Sequence, residues 1–193
     1  MKKILSILLS LFVVTGVCYA DEFELTPKEE IIKQIISEGY EYNSKGFFEA
    51  IKDGNSAYVN KFLMTGTSPD TKYLKLPAIL WAINYKQPKI VEQLVKAGSN
   101  PNEDFGGVTP LTYAIRVKHE ETVTTLIRLG ANINQKVCGT TPLEYALKKK
   151  NYDASKALIY AGANVDEKSL ARALKLKDEN SKNIILTKYK KQN

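Results

Sequence analysis

An all-α solenoid of stacked helix-turn-helix units is the fold this sequence predicts, and three observations predict it. Gly66, Gly98, Gly130 and Gly162 recur at an unvarying interval of 32 residues. Ala50, Ala82, Ala114 and Ala146 keep the same step, as do Phe62, Leu94, Leu126 and Leu158. Within each period, apolar residues fall at helical spacing along two short stretches, and a glycine closes the second one. A period of this size marks a stack of supersecondary units, each of which buries its apolar face only against its neighbours.

The first 20 residues stand apart from that pattern. Lys2 and Lys3 precede an apolar run from Ile4 to Val17, which is 14 residues long. A bilayer span needs roughly 20. Cys18-Tyr19-Ala20 then stands before Asp21 as a small-residue cleavage site, so residues 1–20 read as a secretory signal peptide. A lipid-anchored Cys18 and an uncleaved anchor are the competing readings. Residues 21–45 are expected to form an N-terminal capping helix. Thr26-Pro27-Lys28-Glu29 has the spacing of a capping box, Ile31, Ile32, Ile35 and Ile36 follow on one side, and Gly39 is a stop.

The repeat domain is expected over 46–193, in units of about 46–71, 72–103, 104–135 and 136–167, with a C-terminal cap at 168–190. The unit at 104–135 shows the logic. Gly106-Gly107 signals a turn, Thr109 suits a helix N-cap, and Pro110 suits the first helical position. Leu111, Ala114 and Ile115 make one apolar face, Lys118-His119 interrupts it, and Val123, Leu126 and Ile127 make a second. Gly130 ends that helix, because a left-handed residue is least strained as glycine. The next unit agrees with this one at 12 of 32 positions, including Thr141-Pro142-Leu143, Tyr145-Ala146 and Gly162-Ala163-Asn164. Thr141 to Glu144 also has capping-box spacing.

These motifs, TPLxxA, then KH or KN, then LI, then GAN, resemble the ankyrin repeat, a turn plus two helices of about 33 residues. The tetratricopeptide alternative lacks its Trp and Gly positions. The resemblance is fullest over 104–166. It thins at Pro77-Ala78-Ile79 and Gly98-Ser99-Asn100, and again at Ala50-Ile51, Gly54-Asn55 and Gly66. After Gly162 the finger is five residues shorter, so Leu170, Ala173, Leu174, Ile184 and Ile185 are expected to form a closing helix pair. Lys188 to Asn193 are expected to fray.

What the resemblance implies is a non-enzymatic module that meets another protein through its turn fingers and concave groove. Carried onto this chain, the groove and finger positions give Tyr73, Leu74, Trp81, Tyr85, Phe105, Tyr113, Arg116, Lys148 and Lys149 as partner-binding residues. Aromatic and Arg side chains are the types that most often dominate binding energy. Trp81, Tyr113 and Tyr145 have a second reading, as filler stacked between repeats. Small exported ankyrin proteins of similar layout further suggest an immunity or accessory factor for a periplasmic or secreted enzyme. The competing reading is a secreted factor that binds host proteins or anionic surface polymers.

Charge and chemistry narrow the rest. The net charge is +7, but it is polarised: residues 21–45 sum to −4 and residues 144–193 to +6. The expected location is the periplasm, with secretion as the alternative, and an exported chain is not expected to meet nucleic acid. Beyond the signal, no apolar segment suggests a membrane span. After signal removal one cysteine remains, Cys138, so no internal disulfide forms, and the expected state is a monomer with a Cys138-linked dimer as the variant. The single His119 sits in the inter-helix turn and Cys138 in a finger, too far apart in the repeat to act together. Metal sites built from His and Cys need three or four ligands. No catalytic residue, metal site or cofactor is expected.

Overall fold

The computed structural model describes residues 25–192, so the signal-peptide reading of residues 1–20 lies outside the described residues. Within that span stand eleven helices and one two-stranded hairpin. They are α1 (Pro27–Ser37), α2 (Ser44–Lys52), α3 (Ser56–Met64), β1 (Lys72–Tyr73), β2 (Leu76–Pro77), α4 (Ala78–Asn84), α5 (Pro88–Lys96) and α6 (Pro110–Val117). They continue with α7 (Glu120–Arg128), α8 (Pro142–Lys148), α9 (Tyr152–Tyr160), α10 (Glu167–Ala173) and α11 (Glu179–Gln192).

The helices form two rows. The inner row is α2, α4, α6, α8 and α10, each packed on the next, and the outer row is α3, α5, α7, α9 and α11. Helix α1 packs on α3 and so begins the outer row. The recurrent residues form the seam between rows: Ala50, Ala82, Ala114 and Ala146 are fully buried, as are Phe62, Leu94, Leu126 and Leu158. Alanine lets the inner helix approach its partner closely, and the larger residue fills the space from the outer helix.

Caps fix where helices begin. At Thr26 the box forms in both directions with Glu29. At Thr109 it also closes in both directions, with Thr112 rather than an acidic residue as the return partner. At Thr141 only half of the expected box forms: Thr141 Oγ1 accepts the Glu144 N–H at 3.2 Å, while the Glu144 carboxylate goes to Arg172. Of the four isoleucines on α1 only Ile35 is fully buried, and Ile36 is 56% exposed. Ile35 is the fully buried member, Ile31 is half-buried against the core, and Ile36 faces solvent, so the expected four-residue stripe is wider than the contact.

Units are tied by polar links that recur with the repeat. Asn102 Oδ1 accepts the Asn132 N–H at 2.6 Å, and Asn134 Oδ1 accepts the Asn164 N–H at 2.9 Å. On the outer row, Arg128 donates to both oxygens of Glu92, at 3.5 and 2.7 Å, and Lys96 approaches the same carboxylate at 2.7 Å. The two cations hold the Glu92 carboxyl down at about 2. The C-terminal helix does not fray where expected: α11 runs to Gln192, whose Oε1 accepts the Val165 N–H at 3.0 Å and whose Nε2 donates to Asn164 at 3.3 Å. These bonds give the last turn a reason to stay wound.

Candidate partner-binding surface

The fingers precede the inner helices. In the second unit the finger is a hairpin with Lys72 opposite Pro77 and Tyr73 opposite Leu76. Its tip, Leu74-Lys75, has φ of 51° and 65°. Positive φ at both central residues matches the primed hairpin turn, which favours Asn-Gly or Gly-Gly. The corresponding pairs one and two periods later are Gly106-Gly107 (φ 73° and 91°) and Cys138-Gly139 (φ 48° and 72°). Only the second unit places two full side chains there. Leu74 is 77% exposed, the most exposed large apolar residue among those described.

Behind that tip lies a continuous aromatic cluster. Phe48 from α2 meets Tyr73 and Trp81, both at 5.4 Å between ring centroids, and Trp81 stacks on Tyr85 at 5.6 Å and 22°. The Trp81 indole N–H donates to the Tyr73 carbonyl at 3.2 Å, which locks the ring to the finger. With Lys45, Glu49 and Lys52 the cluster lines a shallow open cleft of about 190 Å³. Lys45 is held by Glu41 and Glu49 at 3.3 and 3.7 Å. The cleft thus has an apolar aromatic floor and a charged rim, which is the anatomy of a binding patch.

The remaining sequence-predicted residues fall elsewhere. Tyr113 is 8% exposed, its hydroxyl donates to Asn84 Oδ1 at 3.2 Å, and Arg116 lies over its ring at 4.2 Å. Tyr113 therefore joins α4 to α6 in the stack, and the part of the pair that faces solvent is Arg116. Lys149 repeats the arrangement over Tyr145 at 5.5 Å. Lys148 and Lys149 are exposed, at the C-terminal end of α8, well away from the aromatic cleft along the stack. Phe105 is half-buried in the third finger, its N–H bonded to the Val108 carbonyl at 3.0 Å. The structure thus gathers Tyr73, Trp81 and Tyr85 into one cleft and distributes Phe105, Tyr113, Arg116, Lys148 and Lys149 along the units that follow.

Two contributors stand outside the nine partner-binding residues expected from sequence. Phe48 is the floor of the cleft, and it carries no repeat signal because its counterpart one period on is Leu80. Asn84 anchors the Tyr113 hydroxyl, and its counterparts are Arg116 and Lys148, so it reads from sequence as another groove-lining position.

His119 Nδ1 lies 2.7 Å from Thr122 Oγ1 at the start of α7. Cys138 is exposed in the fourth finger. Among the described residues, no group of three or more His, Cys, Asp and Glu side chains is placed to hold a metal ion, and no helix is long and apolar enough to cross a membrane.

A two-row solenoid with finger turns and a groove belongs to the class of repeat scaffolds that bind proteins and are typically non-enzymatic. More narrowly, a family model for ankyrin repeats in three copies matches residues 47–137 and 79–169, and the chain belongs to that family. In fold it is similar to the crystal structure of the human ASB11 ankyrin repeat domain, with a TM-score of 0.67 and 19% identity over 85% of this chain and 84% of that one. No curated protein sequence is significantly similar to this chain.

Proposed function

We propose that this protein is an exported, non-enzymatic binding module that holds another protein against the N-terminal half of its groove. The observation that carries this reading is the cleft of Phe48, Tyr73, Trp81 and Tyr85 beside the protruding Leu74. Rigid aromatic rings beside an exposed apolar tip offer large contact area at little entropic cost, and such anchors dominate interface energies. Arg116 and Phe105 extend the contact toward the third unit. In this reading the protein works in the periplasm, or outside the cell, as a monomer that accompanies or neutralises one enzyme. Cys138, exposed on its finger, is available for pairing with a second chain in an oxidising compartment.

The test is alanine at Tyr73, Tyr85, Phe105 and Arg116 together, followed by cross-linking in the native envelope and identification of what is captured. The wild type captures a specific protein and the quadruple variant does not. Equal capture by both would place the interface elsewhere.

A further inference from the structure

Tyr160 is 76% exposed at the C-terminal end of α9, and two open hollows flank it on the outer row. It stands one period after Arg128, which crosses to Glu92 at 2.7 Å; the residue one period after Glu92 is Thr124, so the equivalent pair cannot form. The hollow toward α7, of about 440 Å³, has Ile127 and Ala157 in its floor and a balanced rim: Glu120 and Asp153 against Arg128 and Lys156. Both of those cations already have carboxylate partners, Glu92 and Asp153. The hollow toward α11, of about 430 Å³, differs in charge. Ile159, 6% exposed, and the half-buried Ile184 lie in it beside the Tyr160 ring, and Lys188 and Lys191 follow on α11 about one and two turns past Ile184. Asn183 and Thr187 complete the lining, which holds no carboxylate. Among the described residues, no carboxylate is within ion-pairing distance of Lys188 or Lys191.

We infer that the groove between α9 and α11 docks one face of an acidic amphipathic helix of a protein partner. An apolar side chain of that helix covers Ile159 and Ile184 against the Tyr160 ring, and two carboxylates one turn apart meet Lys188 and Lys191, whose backbone positions are separated by a rise of about 4.5 Å. Apolar centre and charged rim are the usual anatomy of a protein contact. Three other anionic occupants fit less well. A fatty acid calls for a pocket that encloses most of its surface, whereas this groove lies open along two helices and covers one face, as helix-in-groove recognition does. A bilayer calls for apolar side chains that reach outward; here Ile159 is buried, only Tyr160 projects, and Glu120 and Asp153 on its other side repel anionic headgroups. A nucleic-acid strand calls for successive stacking rings, and the lining has one. The surface belongs to the outer row, whereas the fingers precede the inner helices, so it is independent of the cleft at Trp81.

The probe is a dye-labelled helical peptide of about 18 residues with Leu on one face and Glu on the flanking positions, read by fluorescence anisotropy. A twin peptide with Lys for each Glu, laurate, phosphatidylglycerol vesicles and an oligo-dT strand are the comparison arms. The full chain is expected to bind the Glu peptide on the order of tenfold or more tighter than the Lys peptide. Lys188→Glu with Lys191→Glu should invert that preference. Tyr160→Ser should weaken the Glu peptide by roughly tenfold and keep the preference. A control with Lys28→Glu and Lys33→Glu, of equal charge change on α1, should stay within about threefold of wild type. Alanine at Tyr73, Tyr85, Phe105 and Arg116 should leave peptide binding unchanged, which separates this surface from the finger-side cleft. The substituted side chains face solvent, so melting temperatures should match the wild type. No preference in the wild type, no inversion in the reversed variant, equal loss in the control or in the alanine variant, or tighter binding to laurate, vesicles or oligo-dT than to the Glu peptide would overturn the proposal.

Discussion

Arg172, in the closing helix pair, reaches back to Glu144 of the last full unit, with its two nitrogens 3.2 and 3.1 Å from the same carboxylate oxygen. The Glu144 side chain is 8% exposed and that of Arg172 is 42% exposed, so the acid is the member that depends on the pair. Removing one partner of a buried charged bond leaves the other desolvated and unpaired. Arg172→Ala is therefore expected to destabilise the protein by about 1–3 kcal/mol. Arg172→Ala combined with Glu144→Gln is expected to lose less than the single variant. Urea denaturation of the three proteins checks the order.

Glu92 makes stability depend on acid. Its carboxyl is held at about 2, against an ordinary 4.5, chiefly by hydrogen bonds from Arg128 and Lys96. A lowered folded-state value contributes stability above the unfolded one, and that contribution is lost as the pH falls from about 4.5 toward 2. The melting temperature of wild type should exceed that of Glu92→Gln near neutral pH. The gap should close across that acid window and shrink in high salt, since the trio is solvent-facing.

The second finger is expected to trade stability for binding. Replacing Leu74-Lys75 by Asn-Gly suits the primed turn and should raise unfolding free energy by roughly 1–2 kcal/mol. The same change should weaken capture of the partner in the cross-linking assay. A variant that is more stable and binds unchanged would remove Leu74 from the interface.

Tyr113 and Arg116 should separate cleanly. Tyr113→Phe loses the bond to Asn84 and is expected to cost about 0.5–1.5 kcal/mol with binding intact. Arg116→Ala should cost little stability and reduce partner capture. Thermal melts beside the capture assay distinguish the two.

Most of the fold is legible in the sequence because a solenoid writes its contacts locally. The 32-residue recurrence of Ala114 and Leu126 with their counterparts is itself the packing rule between rows. What the sequence hides are choices between two local partners. Glu144 fits a capping box and an inter-unit ion pair equally well, and only the position of Arg172 in space decides. Gln192 sits in a lysine-rich tail whose winding depends on the Asn164 loop 28 residues earlier. The Leu74-Lys75 turn lacks any Gly or Asn to announce it. Within the candidate site, Tyr73, Trp81 and Tyr85 could be placed from the repeat register, whereas Phe48 could not, since its unit is the most divergent.

Trp81 is the only tryptophan in the chain, and it is wedged where the first two units meet. Its intrinsic emission is therefore a local reporter of one end of the molecule, while far-ultraviolet ellipticity averages over every helix. A linear stack held by nearest-neighbour contacts can fray from an end. Coincidence of the two signals on heating would measure how far cooperativity reaches along the array, and an early fluorescence transition would show the N-terminal end letting go while the rest still holds.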